Sequence, residues 1–375
     1  MKQSGSRETI PFMRLDRQFA AHRESFLQAA ETVMAGGQVL QGPAVRELEE
    51  RLCGVFGAAH CVALGSGTDA VTFAIAALGL PEGSRIAAPA MTFVASASGI
   101  LHNRCVPVFV DVDPATMLMD EAMLGDLIDR RVVDAVVVVH LYGQMQNLDE
   151  IGPAAAAAGI PIIEDAAQAL GSTRHGVAPG RHAAATCLSF DPTKVVGAYG
   201  SGGALLTDDE ALAAFVRRMR YHGHDGHGQY QFAGYNSQLQ SLQAALLNVK
   251  LAHLEAWQER RIAIAQQYLA GLTGLNGVSP METLPGNDHN YHKFVLTVQD
   301  REALIAHLKD LGIQTKVHYP VPLHKQPLFR RVIGDIRLPK VEAAAERILS
   351  LPMYPEMTDV EVVRIVEGLR GHYGL

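Results

Sequence analysis

Seven short apolar runs alternate with helical stretches between about residue 60 and residue 207, and this alternation narrows the choice of folds more than any other feature of the chain. The runs are "CVAL", "RIAA", "VPVFVD", "AVVVVHL", "PIIED", "ATCLSF" and "GALLT". A strand with one wet face alternates polar and apolar residues, whereas these runs are apolar almost throughout and must be covered on both sides. The pattern predicts an α/β fold with a mostly parallel seven-stranded sheet sandwiched by helices. Ligands of such sheets bind at the carboxyl ends of the strands, so the residues that follow each run are the ones to inspect for chemistry.

From about Gln238 to Leu272 the pattern changes to one long helical region, "QLQSLQAALLNVKLAHLEAWQERRIAIAQQYLAGL", with Leu239, Leu242, Leu246, Val249 and Leu254 near helical spacing. It reads as a bridge between domains. After it come a strand ("HKFVLTV"), a helix ("REALIAHLKDLG"), a strand ("IQTKVHY") and two more helices, which make a smaller C-terminal α+β domain. The expected division is 1–245 for an N-terminal segment with the large domain, and 246–375 for the bridging helix with the small one. A chain of 375 residues has room for both.

A formal net charge of -7 argues against a broad nucleic-acid or anionic-membrane footprint, so small molecules are the expected partners. The four cysteines, Cys53, Cys61, Cys105 and Cys187, contain no CxxC pair, so neither a disulfide framework nor a zinc knuckle is expected. The start "MKQSGSRETIPF" lacks an apolar signal core, and the most apolar stretches are too short to span a bilayer. The expectation is a soluble cytoplasmic protein.

Three strand ends carry candidate chemistry. In "LGSGTDAVTFAIAALG" a strand runs through small residues into a helix whose first positions are Thr68 and Asp69. Free amides and the positive end of the helix dipole make that start a phosphate site, with the Thr68 hydroxyl as a further donor; an ordinary capped helix has the same local sequence. "GSGTDA" also fits G-x-G-x-x-A, but a dinucleotide site needs an acidic residue roughly 20 positions on, and the strand "RIAAPAM" has none there.

"PIIEDAAQALG" ends a buried strand with Glu164 and Asp165. Adjacent strand residues face opposite sides, so only one of the two should face a ligand; the alternative is that Asp165 caps a following helix. Lys194 lies just past "ATCLSF". Lysines after strands are usually surface residues, but one beside an apolar site loses hydration, which favours the neutral, nucleophilic amine. A phosphate cradle, a carboxylate and a lysine at neighbouring strand ends are what pyridoxal phosphate (PLP) requires: an anchor, a partner for the pyridinium nitrogen and an amine for the Schiff base. "YHGHDGHGQY" places His222, His224, Asp225 and His227 close together, but its four glycines argue for a loop and no metal site is expected.

At this point the chain resembles the DegT family of PLP-dependent nucleotide-sugar aminotransferases, which have the type I PLP-dependent transferase fold of aspartate aminotransferase. The ordered matches are "GSGTDA", "PAMTFVASAS", "PVFVDVDPATMLMD", "HLYGQ", "IEDAAQALGS", "LSFDPTK", "GYNSQLQSLQAA" and "VHYPVPLHKQP". The resemblance implies that Lys194 is the covalent amine and Asp165 the pyridine partner. Gln168 would lie by the phenolic oxygen, Gly67, Thr68 and Ser189 would bind the phosphate, and Phe93 would stack on the ring. Asn236 would reach the phosphate of a neighbouring subunit, which implies a homodimer with shared active sites.

Lys316, His318, Tyr319, His324 and Lys325 offer cations and donors for a diphosphate and sugar hydroxyls, a solvated basic loop being the alternative for each. Three positions depart from the family, which more often has an aromatic residue at Asp191, an aspartate at Ser201 and an arginine at Gln238. A carboxylate facing Lys194 would favour its charged form, so Asp191 is expected to point away, toward solvent or substrate. The resemblance implies amino transfer from an L-amino acid, glutamate first, to a nucleotide-diphosphate keto-sugar, with 3-keto favoured over 4-keto. A PLP-dependent dehydratase and a non-catalytic PLP-binding regulator are the alternatives; members of the dehydratase branch have histidine where this chain has Lys194.

Overall fold

The computed structural model describes residues 8–374. All seven apolar runs become strands of one sheet: β1 (His60–Leu64), β2 (Arg85–Pro89), β3 (Val106–Val110), β4 (Ala135–Val139), β5 (Ile162–Asp165), β7 (Ala185–Ser189) and β8 (Gly203–Thr207). Their spatial order is β1-β8-β7-β5-β4-β2-β3. Pairings among β7, β5, β4, β2 and β3 are parallel, while β8 runs antiparallel between β1 and β7. Every residue of β4 and β5 is buried, as a strand covered by helices on both faces requires.

One apolar core covers one face of the sheet and two share the other, the second of these around Ala87, Val136, Val138 and Ile162. Val62, Leu64, Phe73, Ile86, Val137, Ile163 and Leu205 belong to the first, and Ala63, Leu48, Leu52, Leu188, Leu206 and Leu247 to another. Successive residues of β1 thus serve opposite cores, the period of two that a strand imposes.

The long helical region is two helices, Ser241–Leu251 and Leu254–Leu272, interrupted at Ala252 and His253. Beyond it, β9 (Val278–Pro280), β11 (Phe294–Val298) and β12 (Ile348–Leu351) form an antiparallel sheet. A two-residue pair, β6 (Thr173–Arg174) with β10 (Asn287–Asp288), ties the two parts together. The expected strand "IQTKVHY" is not a regular strand: it makes isolated bridges from Ile313 to Ile10 and from Lys316 to Ser350, then leaves to carry His318 and Tyr319 toward the main sheet. Three helices close the chain instead of two, Pro327–Ile333, Pro339–Ala345 and Asp359–His372. Ile10, Tyr268, Phe294, Leu296, Leu308, Leu349 and Ile365 form the core of this part, while Phe329 and Val341 pack onto the core of the main sheet. No helix among the described residues is long and apolar enough to cross a membrane.

Candidate active site

A cleft of about 320 Å³ opens where the carboxyl ends of β1, β5 and β7 meet the start of β8. Gly67, Thr68, Phe93, Asp165, Gln168, Ser189, Lys194, His318 and Tyr319 all line it. Beside them are residues that sequence reasoning passed over, including Ser66, Thr92, Ser96 and Thr193.

The cradle is built first. After β1, Gly65 donates its amide to the carbonyl of Ser237 at 2.9 Å, and Ser66 caps the helix Gly67–Ala77 by accepting from the Asp69 amide at 3.1 Å. The helix is therefore an ordinarily capped one and also lines the cleft. The amides of Gly67 and Thr68 lie in the first turn, where a helix offers no backbone acceptor, and so stay available to an anion. Ser189 accepts from the Asp191 amide at 3.2 Å, which leaves its own O–H free to donate.

Glycines permit this crowding. A Cβ on Gly203 would lie 2.4 Å from Ser66 backbone atoms, and one on Gly67 would lie 2.6 Å from the Ser189 Cβ. We expect Gly203→Ala to destabilise the protein by about 2–3 kcal/mol, because the obstacle is backbone that cannot swing aside. Urea unfolding checks this, and an unchanged midpoint would refute it.

Asp165 ends β5 facing the cleft. Its Oδ2 accepts from Ser96 Oγ at 2.6 Å and its Oδ1 from the Ala167 amide at 3.1 Å. Ser96 in turn lies 2.9 Å from Thr92 Oγ1; since the Ser96 proton goes to Asp165, Thr92 is the donor. No regular helix follows β5, so capping does not account for this carboxylate. Glu164 faces the other way and is fully engaged, 2.8 Å from His140 Nε2 and 2.8 Å from the Gly180 amide. His140 Nδ1 accepts from the Gln146 amide at 3.0 Å, which places the ring proton on Nε2, toward Glu164.

Lys194 sits in a closed turn after β7. Its amide donates to the Asp191 carbonyl at 2.9 Å, and the Ala198 amide to the Phe190 carbonyl at 2.8 Å. Lys250, itself 1% exposed, donates Nζ to the Gly197 carbonyl at 2.6 Å and braces the loop from behind. Burial pushes the Lys194 ammonium below the usual lysine range, against the charges of Asp165 and Asp191, which raise it. Asp191 is exposed and lines the cleft, yet its Oδ1 is held by the amide (2.9 Å) and hydroxyl (2.6 Å) of Thr193. Its carboxylate is thus part of the turn that presents the lysine.

Gln168 is buried, with Oε1 accepting from the Tyr142 amide at 2.9 Å. Phe93 is 51% exposed, and its ring lies 6.0 Å from that of Tyr319. Of the cations and donors expected here, His318 serves only as a neutral imidazole: burial and the nearby charges of Lys293, Lys316 and Lys194 bring it down to about 3, and its Nδ1 lies 2.9 Å from Ser350 Oγ. Burial also raises the Tyr319 phenol, which stays protonated.

Three residues grouped with the substrate set, Lys316, His324 and Lys325, do not line the cleft. His324 is fully buried against Glu342 at 3.0 Å, and Lys325 pairs with the same carboxylate at 3.0 Å; neither lines the cleft. Lys316 stands over the Phe12 ring. Asn236 is exposed and outside this cleft, and Gln238 lies between it and Gln41. Ser201 lines the cleft.

Known proteins resemble this chain along nearly its whole length. The model of the DegT/DnrJ/EryC1/StrS aminotransferase family matches residues 20–370. The chain is 36% identical to the pleiotropic regulatory protein of Geobacillus stearothermophilus, covering 97% of this chain and 98% of that one. It is also 36% identical to the UDP-2-acetamido-2-deoxy-3-oxo-D-glucuronate aminotransferase of Pseudomonas aeruginosa, over 95% and 98% of the two chains. Among solved structures, S. venezuelae DesV in complex with a ketimine intermediate superposes with a TM-score of 0.94 at 32% identity, covering 98% of this chain and 99% of that one.

Proposed function

The chain belongs to the DegT/DnrJ/EryC1/StrS aminotransferase family, and from that membership we propose that it moves the amino group of L-glutamate to the 3-keto group of a nucleotide-diphosphate sugar. It is a sugar aminotransferase, and the family depends on PLP. The observation that carries the reading is one cleft uniting the Lys194 amine, the Asp165 carboxylate and the open helix start at Gly67 and Thr68. These residues fit the cofactor: an anion cradle too tight for side chains at Gly67 and Gly203, a held carboxylate and an amine with a depressed pKa.

When bound, PLP supplies an aldehyde for exchanging amino groups and an electron-withdrawing ring. The protein supplies the rest. Gly67, Thr68 and Ser189 would bind the phosphate, Phe93 would pack on the ring and Gln168 would serve the phenolic oxygen. Asp165, held in place by Ser96 and the Ala167 amide, would partner the pyridine nitrogen. At about 4 Å and an effective dielectric of about 20 that pairing is worth about 4 kcal/mol. Lys194, its charged form disfavoured by burial, moves the proton at the substrate carbon. Amino donor and sugar occupy the cleft in turn, which gives ping-pong kinetics.

Several observations support the finer points. The 3-oxo substrate in the name of the Pseudomonas relative favours the 3-keto assignment. The exposure of Asn236, away from its own cleft, suits a role in the partner's site and hence a homodimer, as does the apolar surface at Leu27, Met34, Val39 and Leu40. Four free cysteines, three of them buried, suit the reducing cytoplasm. A regulatory reading is favoured by the name of the Geobacillus relative, but a pure binding module has no need of Lys194, Asp165 and Thr68 together.

The test is a panel of nucleotide keto-sugars offered with glutamate, with product mass and amino position read by NMR. If none reacts while the cofactor is bound, the substrate class is wrong. A second expectation concerns Ser96. Ser96→Ala removes a hydrogen bond to a carboxylate, so kcat should fall by about tenfold to a hundredfold with folding stability little changed. A kcat within twofold of the parent would remove Ser96 from the site.

A further inference from the structure

Lys293 is a buried amine that the reaction so far does not use. It stands just before β11, with 7% of its surface exposed, its backbone amide bonded to the Tyr142 carbonyl at 3.1 Å. Among the described residues its Nζ has neither a hydrogen-bond nor an ion-pair partner. A buried ammonium without a counter-charge is costly, so a fold that keeps one has a use for it.

Its surroundings are basic. Lys293 Nζ lies 5.2 Å from the centroid of the Phe12 ring, and Lys316 Nζ lies 5.1 Å from the same ring. The His318 ring is 5.7 Å from Phe12, and His318 lines the cleft. Lys194 is near enough for its charge to oppose that of Lys293. The two carboxylates of the cleft, Asp165 and Asp191, already have hydrogen-bond donors.

We infer that Lys293 and Lys316, seated against Phe12, form the subsite that receives an anionic group of a substrate, either a carboxylate of the amino donor or a phosphate of the acceptor. The inference rests on the aminotransferase reading, in which both substrates are anions and use one cleft in turn. Carboxylate and phosphate oxygens accept charge-assisted hydrogen bonds from ammonium groups, which is the partner Lys293 lacks.

Proton linkage makes the subsite measurable. Burial, with the charges of Lys194, Arg261 and Lys316, brings Lys293 down to about 7, while Asp191 raises it. Lys293 lines a cavity of about 460 Å³ beside Glu282, His289 and Tyr291, outside the cleft that His318 lines. Burial holds the surrounding histidines, His289, His292 and His318, below their usual range, with help from the same cations at the last two, so they stay neutral near pH 8. A group at about 7 is mostly uncharged at pH 8, and an anion that binds there favours its ammonium form. Binding therefore takes up protons and weakens as pH rises above 7.

Calorimetry of the holoenzyme at pH 8 tests this, using glutarate and inorganic pyrophosphate, which do not react, in buffers of different ionisation enthalpy. Uptake of a large fraction of one proton is expected, and Lys293→Met should weaken binding by about tenfold to a hundredfold and abolish the uptake. Loss confined to glutarate identifies the donor carboxylate, loss confined to pyrophosphate the acceptor phosphate, and loss of both a shared subsite. Wild-type binding without proton uptake, no binding of either anion, or a folded Lys293→Met holoenzyme with parental affinity overturns the inference. If that variant does not fold, the wild-type proton count decides. None of these readings needs turnover, so an unreactive sugar panel would sink the substrate assignment and leave the subsite standing.

Discussion

Lys194→Ala should lower kcat for amino transfer by about 10⁴-fold or more, with the fold intact. General acid–base catalysis alone contributes about 10²–10⁴, and the covalent link to the cofactor is lost as well. The structure offers no substitute in the same turn: Thr193 bonds Asp191, and Lys250 is bound to the Gly197 carbonyl on the far side of the loop. Alanine also leaves space beside Asp165, so millimolar methylamine should restore part of the activity, a rescue that a misfolded variant would not show. Single-turnover assays with glutamate, beside thermal unfolding, check both points. A variant that turned over at the parental rate would end the assignment.

Asp165→Asn should lower kcat by about 10³-fold. The change keeps shape and an acceptor for the Ser96 hydroxyl but removes the charge, and about 4 kcal/mol of pairing corresponds to nearly three decades in rate. The pH profile carries the sign. On the proposed role, the Asp165 carboxylate favours the protonated pyridine nitrogen; with asparagine that proton should leave at lower pH and activity should fall as pH rises. Steady-state rates with the absorbance of the bound cofactor from pH 6 to 9 distinguish this from simple damage. A variant within threefold of the parent would mean that another group holds the ring nitrogen.

The residues named in these two experiments were readable in the chain because each is fixed by its own strand end. Asp165 closes "PIIED" and Lys194 follows "ATCLSF", and a sheet delivers such positions to one edge whatever else the protein does. Ser96 was not readable: it lies 69 residues from its carboxylate, on a helix, ASASGILH, built mostly of small and apolar residues. Lys293 and Phe12 meet from opposite ends of the chain, and nothing local to either announces the contact. The opposite error occurred in "VHYPVPLHKQP", where neighbours in sequence part company. His318 and Tyr319 face the cleft, while the turn at Leu323–Lys325 sends His324 inward to Glu342. The single long helix failed for a related reason, since Val249 and Leu254 continue the apolar spacing across Ala252 and His253, where the backbone breaks.

Because β8 runs antiparallel between β1 and β7, the segment bearing Lys194 leaves the sheet and returns to the neighbouring strand, with Ser189 opposite Gly203. A parallel crossover would have carried the chain away through a helix and left the amine on a one-ended strand exit. Here amine, cradle and carboxylate hang from one sheet, while Lys293, Lys316, His318 and Tyr319 come from the segment beyond residue 290. On the proposed function, the groups for chemistry and the groups for substrate binding are thereby written in separate stretches of the gene. Exchange of the distal stretch between relatives should then change which substrate is bound while the amine keeps its address.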